Sequence, residues 1–241
     1  MYKLKALVSL LVVVLLIGCA QVRMVRITGS GNVVSQEEAI SDFDKVDISH
    51  SFSVDITQGE DYSVVIRVDD NLVEYLDVTK QGSILRIRFD PTRSFNIFDA
   101  TMEAEITMPE LAGLDLSGNS EARVSGFESS KSLTVDLSGN SNLRGDIQAG
   151  DARIDVSGNS SATLSGSAGD VSIDASGSSE VDLADFPGNN GEVSASGAST
   201  VTVNVSGRLD ADASGSSDIY YLGNPELGRI DTSGSSSVQS R

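Results

Sequence analysis

The stretch that decides the fold is VDLSGNSN at 135–142, because close copies of it recur along the second half of the chain. The serine before each glycine follows the previous one by 21, 19, 19, 20, 18 and 19 residues. A period near 19 indicates a stacked repeat, in which each unit buries its apolar face against its neighbours. The other copies are LDLSGNSE from Leu114, IDVSGNSS from Ile154, IDASGSSE from Ile173, VSASGAST from Val193, ADASGSSD from Ala211 and IDTSGSSS from Ile230.

Apolar and polar residues alternate on both sides of each Ser-Gly pair. Val135 and Leu137 flank Asp136 before one turn, and Ala162 and Leu164 alternate in the same way after the next. A two-residue period is typical of a β-strand with one buried face. Each unit therefore reads as strand, tight turn, strand and second turn. We predict an all-β protein whose stacking unit is one coil of a parallel β-helix.

The glycine of each phrase is interpreted as a structural corner between two strands of one coil. A tight corner needs a residue that adopts positive φ, and glycine does so without steric cost. Serine and asparagine beside it can bond backbone groups left free at the bend. The predicted corner glycines are Gly118, Gly139, Gly158, Gly177, Gly197, Gly215 and Gly234.

The second corner of each coil varies in length. It is short at 165–170 and longer at 186–192 and at 223–229. Insertions in a repeat fold usually collect on one side, which is often the binding side.

The first half of the chain, 27–112, lacks the strict period but keeps strand patterning. VDISHSFSVDI at 46–56 resembles a degenerate copy of the phrase, with His50 where the glycine would stand. We expect this half to close one end of a single continuous domain, 27–238, since an unpaired coil edge invites aggregation. The repetitive part, 113–241, ends in SGSSSVQSR, which offers little cover, so that end is either soft or paired with another chain.

The N-terminus indicates a secreted, lipid-anchored protein. Two lysines precede an apolar run at 6–17, which is too short to span a membrane but suits a signal peptide. The run ends in LIGC, which resembles a bacterial lipobox. We predict a lipoprotein signal peptide over 1–18 and a lipidated tether over 19–26, with Cys19 as the acylated residue. An uncleaved membrane anchor and a chance cysteine are the alternatives.

Acylation of Cys19 with palmitate or similar chains would attach the protein firmly to a membrane. Cys19 is the sole cysteine, so stability must come from packing and backbone pairing rather than from disulfides. Ala20 follows it, which in Gram-negative bacteria resembles lipoproteins sent to the outer membrane. The expected location is the cell envelope, facing the periplasm or the surface.

Four features together resemble the head GIN domain family of auto-transporter adhesins. They are ITGSGNVVSQE at 27–37, FDKVDIS at 43–49, SVDITQGEDYSVVIRVDDNL at 53–72, and the run of Ser-Gly phrases. The resemblance covers about 27–238. It implies a right-handed β superhelix similar to pectin lyase folds, in which Ser-Gly turns join two sheets. It also implies a role in adhesion, a homotrimer and no established catalytic residues.

Composition argues against nucleic acid, zinc and common catalytic chemistry. The chain has 35 acidic and 17 basic residues, and its net charge of −18 does not suit phosphate binding. His50 is the only histidine and no G-x-S-x-G motif is present, so a Ser-His-Asp site has little support. With no second histidine and no free cysteine, zinc lacks ligands. We expect no cofactor and no enzymatic activity.

Strand parity places a row of aspartates on an outward face beside the turn serines. Stacked in register, the carboxylates of neighbouring coils would lie about 5 Å apart. The row is either a solvated face that keeps the surface soluble, or a series of weak Ca²⁺ sites built from oxygen ligands. Its members are Asp115, Asp136, Asp155, Asp174, Asp212 and Asp231, with Ser194 interrupting the series.

The expected function is non-catalytic: an adhesin-like or scaffolding lipoprotein that binds surface glycans or proteins through a repetitive, rigid surface. The main alternative is a polysaccharide-active β-helix enzyme, which needs carboxylates and basic residues in one groove. Basic residues after 112 read as scattered, with Arg144 and Arg153 the pair that could approach each other. A third alternative is an envelope sensor or protein-interaction module.

Overall fold

The computed structural model describes residues 24–241, so the predicted signal peptide and Cys19 lie outside the described residues. Among those residues, no helix is long and apolar enough to cross a membrane. The first part contains β1 Met24–Thr28, β2 Val33–Glu37, β3 Lys45–Ile48, β4 Ser53–Gln58, β5 Ser63–Asp69, a 3₁₀ helix Asp70–Tyr75, β6 Leu76–Gln81, β7 Ile84–Phe89, β8 Ser94–Phe98 and β9 Met102–Met108. The repetitive part contains β10 Gly113–Leu116, β11 Glu121–Glu128, β12 Leu133–Leu137, β13 Asn142–Gln148, β14 Ala152–Val156, β15 Ser161–Ser167, β16 Val171–Ala175, β17 Glu180–Asp185, β18 Gly191–Ala195, β19 Thr200–Val205, β20 Arg208–Ala213, β21 Asp218–Gly223, β22 Glu226–Thr232 and β23 Ser237–Ser240.

Two long sheets form the walls of a column. Sheet I has ten strands in the order β22-β20-β18-β16-β14-β12-β10-β3-β7-β6, and sheet II has eleven in the order β2-β5-β9-β4-β11-β13-β15-β17-β19-β21-β23. From β10 onwards the chain alternates between the sheets, and every neighbouring pair is parallel. Each Ser-Gly turn therefore joins the two sheets. The all-β prediction and the parallel β-helix are confirmed.

The coils stack in register, so equivalent residues lie directly above one another. On sheet I, Ile154 is opposite Ile173 and Asp155 is opposite Asp174. Inward residues such as Ile154 are fully buried between the sheets. Burial of one such aliphatic side chain contributes about 1.5–3 kcal/mol. The repeat therefore supplies a continuous core without a disulfide.

Stacked carbonyl groups explain why the corners require glycine. Gly158 has φ of +79°, and the six other predicted corner glycines lie between +77° and +82°. The backbone N–H of Asn159 donates to the carbonyl of Gly139 in the preceding coil, at 2.8 Å. A Cβ built on Gly158 would lie 2.5 Å from that carbonyl oxygen. Positive φ and close approach thus select the same residue.

A second serine in each phrase, three residues after the first, closes the corner from inside. Ser217 is fully buried, and its hydroxyl lies 2.8 Å from the carbonyl oxygen of Ser214, to which it donates. The sequence pattern predicts this role for serine and asparagine in general, and it does not indicate that the second serine points inward. The buried members of this column are Ser120, Ser141, Ser160, Ser179, Ser199 and Ser217.

The order of coils departs from the order of the sequence. Strands β3 and β4 form a coil that lies between β7 and β9 on one side and β10 and β11 on the other. His50 occupies its corner with φ of +80°, so the degenerate phrase at 46–56 is a true coil. Phe52 stands where later coils have the buried serine and packs on Phe89, with ring centroids 5.5 Å apart.

The N-terminal end of the column is covered by β2, β5, β6 and the 3₁₀ helix, and here the pairing becomes antiparallel. Asp69 fastens this cap: its buried carboxylate accepts the backbone N–H of Gly31 at 2.5 Å and of Thr101 at 2.6 Å. Asp70 accepts from Asn32 at 2.7 Å. The ITGSGN and DDNL segments, which carried much of the family resemblance, therefore bind each other.

Strand β1 pairs with β8 in a separate two-stranded sheet at this capped end. It begins at Met24, so the last three residues of the expected tether, 24–26, already belong to a strand.

Candidate binding face

The outward face of sheet I carries the predicted aspartate row, which we call the Asp column. The strand register confirms that its carboxylates stack from coil to coil, with Ser194 interrupting them. It also adds two members that the sequence did not reveal, Arg86 and Asp47, because their coils lie out of chain order. In spatial order the column is Arg86, Asp47, Asp115, Asp136, Asp155, Asp174, Ser194, Asp212 and Asp231.

Crowding perturbs the carboxyl groups near the N-terminal end of the Asp column. Partial burial, and then the charges of Asp47 and Asp136, raise the pKa of Asp115 to about 6. Burial, followed by the charge of Asp155, also raises the pKa of Asp136. Over residues 24–241, no group of three or more acidic, histidine or cysteine side chains could hold a metal ion. The Ca²⁺ interpretation therefore has no preformed site in this part of the chain.

A groove of about 450 Å³ runs beside the Asp column, where the strands of sheet I begin. Its floor and walls come from four consecutive coils, β14, β16, β18 and β20, with the start of β12 at one end. Its outward polar side chains include Thr134, Arg153, Ser172, Glu192 and Arg208.

The groove corrects our expectation that the basic residues are scattered. Arg153 and Arg208 line the same groove, although 55 residues separate them, because three coil steps bring them onto one face. The expected approach of Arg144 to Arg153 is wrong. Arg144 lies on β13 in sheet II, whereas Arg153 lies on β14 in sheet I.

A ladder of side-chain acceptors builds the rim of the groove. Asp151 accepts the backbone N–H of Asp170 at 2.9 Å, and Asp170 accepts the side-chain amide of Asn190 at 2.9 Å. Asn190 in turn accepts the backbone N–H of Arg208 at 2.9 Å. The longer corner at 186–192 thus contributes to the groove, whereas 223–229 is mostly strand. Because each rung ties one coil to the next, the rim is preformed.

Both groove arginines are held flat against an aspartate two residues later. The guanidinium of Arg153 binds both carboxylate oxygens of Asp155, at 3.0 and 2.9 Å. Arg208 binds Asp210 in the same way, at 2.8 and 2.9 Å, and holds the pKa of Asp210 below its usual value. Both arginine side chains remain more than half exposed. Each pair presents oriented donors and acceptors to solvent.

His50 is part of the core edge rather than of this face. Its ring packs against Phe89 and Phe95, with centroids 5.3 and 6.1 Å apart. Burial lowers its pKa. Among residues 24–241, its side chain has one hydrogen-bond neighbour, the adjacent Ser49, whose hydroxyl oxygen lies 3.1 Å from Nδ1. This surrounding fits a structural histidine.

The fold and this face define a class: β-solenoid proteins that present a long polar surface. The sequence matches the family described as "Putative auto-transporter adhesin, head GIN domain" over residues 42–225. The chain belongs to this family, which marks it as a surface or envelope protein. No curated protein matches the sequence.

Solved structures agree with the fold. A putative adhesin from Bacteroides fragilis is 20% identical, with a TM-score of 0.82 over 89% of this chain and 99% of its own. A putative adhesin from Parabacteroides distasonis is 20% identical, with a TM-score of 0.63 over 90% and 100%. A putative lipid binding protein from the same species is 24% identical, with a TM-score of 0.67 over 90% and 100%. None of these three is described as an enzyme.

Proposed function

We propose that this protein is a cell-envelope lipoprotein whose β-helix is a non-catalytic adhesin that binds carbohydrate polymers along the groove of sheet I. The observation that supports the proposal most is the groove itself, which repeats hydrogen-bonding side chains at one-coil intervals over four coils. An extended polysaccharide likewise presents its hydroxyl groups at a regular repeat, so successive sugars can meet successive coils.

The chemistry of the groove suits sugars better than charged polymers. Its arginines are paired with aspartates, so guanidinium donors and carboxylate acceptors stand side by side. Neighbouring donors and acceptors match the hydroxyl groups of a sugar, which both donate and accept. Because the rim ladder fixes the backbone beneath Arg208, little ordering free energy is lost on binding.

The groove is tested by replacing Arg153 and Arg208 together with alanine. Each substitution removes a charged hydrogen-bond donor, which contributes about 1.5–3 kcal/mol when it contacts the polysaccharide directly. We expect polysaccharide affinity to fall at least about tenfold for the double variant. Calorimetric titration with purified bacterial and host polysaccharides measures this change.

The matched control replaces Arg123 and Arg144, which are exposed on sheet II. That variant should keep the affinity of the unmodified protein. Equal losses in both double variants, or no binding to any polysaccharide, would reject the groove as the binding site.

Anchoring through Cys19 is the second part of the proposal. The short apolar run and the LIGC ending support it, and Ala20 favours the outer membrane of a Gram-negative cell. We expect Cys19→Ser to abolish labelling of the protein by a fatty-acid analogue. Unchanged labelling of the variant would refute acylation at this residue.

The polysaccharide-active enzyme remains the competing function because one observation favours it. The raised pKa of Asp115, in a column of neighbouring carboxylates, provides a group that holds a proton at mildly acidic pH. The binding titrations discriminate between the two functions when released sugars are assayed in the same samples. Sustained product formation that Asp115→Asn abolishes would replace adhesion with catalysis.

A further inference from the structure

Within residues 24–241, the end of the column opposite the cap leaves its core uncovered. Strands β22 and β23 are the last strands of sheets I and II, so within residues 24–241 each has one unpaired edge. Leu227 on β22 is 48% exposed, whereas its neighbour in register on β20, Leu209, is fully buried. Ile230 and Val238 are only partly buried. Apolar surface and free backbone groups therefore meet at one end, the combination expected where another chain adds strands.

We propose that this open end binds the open end of a second copy of the chain, forming a two-fold, tail-to-tail dimer. Head-to-tail stacking would place this apolar end against the cap, where the 3₁₀ helix already buries Leu72 over the core. Tail-to-tail pairing instead uses the same surface on both copies. A two-fold axis perpendicular to the column makes the meeting edge strands antiparallel, a pairing at least as stable per residue as the parallel one.

The charges on β22 are self-complementary in such a pairing. Arg229 and Asp231 flank Ile230 on the outward face, and within one chain they form an ion pair. In an antiparallel pair centred on Ile230, Arg229 of each copy lies opposite Asp231 of the other. The two isoleucines then face each other on the inward side. A pair centred on Arg229 would place the two arginines opposite each other, and a pair centred on Asp231 would do the same with the two aspartates. Like charges in such positions destabilise the strand pair, so the charges favour the register centred on Ile230.

A bulge limits how much of β22 can pair. The register with β20 shifts between Leu209 and Ala211, and regular pairing resumes at Ile230. Bulges on edge strands twist the strand and restrict further pairing. Pairing with a second copy is therefore confined to the last part of β22 and to β23.

The expected contact is small. Two sheets about 10 Å apart and strands about 20 Å long give an end surface on the order of several hundred Å². A stable interface usually buries about 800 Å² per partner, so dissociation constants of tens of micromolar or weaker are expected. Such weak contacts add up to a strong attachment where many copies on one surface face many copies on another.

The position of the open end suggests what the contact does. Strand β1 lies at the capped end, so a membrane anchor at Cys19 leaves the open end as the distal tip. Tail-to-tail pairing would then join molecules anchored on two facing membranes. This consequence rests on the proposed anchoring; the pairing itself does not.

The test uses residues 20–241, which contain every described strand, in sedimentation experiments from about 1 to about 500 µM. We expect a reversible dimer whose dissociation constant rises at least about tenfold in Arg229→Asp and in Asp231→Arg. Each substitution places two side chains of the same charge opposite each other across the interface. An equimolar mixture of these two variants should dimerise again, because each supplies the charges that the other lacks. Arg153→Asp and Asp155→Arg, which alter the equivalent ion pair on an inner coil, should leave the dimer unchanged.

Three results would overturn the inference: a monomer at every concentration, an oligomer that the Arg229 and Asp231 variants leave intact, or a mixture that associates no better than its components. The inner-coil variants also separate this inference from the proposed function. Arg153→Asp should weaken polysaccharide binding without affecting dimerisation, so either proposal can fail while the other stands.

Discussion

Replacing Gly158 with alanine is expected to lower the free energy of unfolding by about 2–5 kcal/mol. Positive φ costs a residue with a Cβ about 1–2 kcal/mol. Forcing that Cβ against the carbonyl of Gly139 adds about 1–3 kcal/mol, because the carbonyl is fixed by the hydrogen bond that joins the coils. Urea denaturation followed by circular dichroism measures the loss.

Gly126 provides the matched control. It has φ of +77°, but a Cβ built there would meet nothing within 4 Å. Gly126→Ala should therefore cost only the conformational part, about 1–2 kcal/mol. Equal losses at the two positions would show that coil-to-coil contact does not constrain the corner.

Replacing Asp69 with alanine is expected to cost about 3 kcal/mol, the second large effect. The substitution leaves the backbone N–H groups of Gly31 and Thr101 without the carboxylate that both now contact. A hydrogen bond to a charged group such as this carboxylate contributes about 1.5–3 kcal/mol. Thermal melting should show the loss, and Asp69→Asn, which keeps one acceptor oxygen, should fall between alanine and the unmodified chain.

Asp70 is the control for this cap. It is exposed and bonds Ser30 and Asn32 of the same loop, at 2.6 and 2.7 Å. Exposed hydrogen bonds contribute little, so Asp70→Ala should cost less than about 1 kcal/mol. If Asp69→Ala were equally mild, the cap would not depend on the buried carboxylate.

The repeat made the column predictable because its local signals agree with its packing. Alternation around Asp136 sets the buried face, and the spacing of the glycines sets the coil length. Strand parity alone then placed the Asp column on the outward face. These features depend on contacts between residues one repeat apart, and the repeated phrases in the sequence show directly which residues those are.

The order of the first coils could not be predicted because nothing local records it. The coil of His50 is followed in sequence by β5, the 3₁₀ helix and β6, which leave the stack to form the cap. The chain then returns on the far side of that coil before continuing at Gly113. The same absence of a local signal hid Asp47 and Arg86 as members of the Asp column.

The groove was missed for a related reason. Arg153 lies in register with Asp210, three coils away and two residues after Arg208, and only the stacking register shows that the two arginines share a face. The sequence did carry a usable signal: each is followed, two residues later, by an aspartate. On a strand, that spacing places both side chains on one face and favours an ion pair.

Distances between spin labels test the central claim, the in-register column with its unexpected coil order, most directly. Cysteine pairs are placed at Asp47 and Asp231 and, separately, at Arg86 and Asp231, in residues 20–241, which lack Cys19. Seven and eight coil steps separate these pairs, so at about 4.8 Å per step the distances should be about 34 and about 38 Å. Narrow distributions with the Asp47 pair shorter would support the column. A longer Asp47 pair, as simple sequential stacking requires, or broad distributions for both pairs, would contradict it.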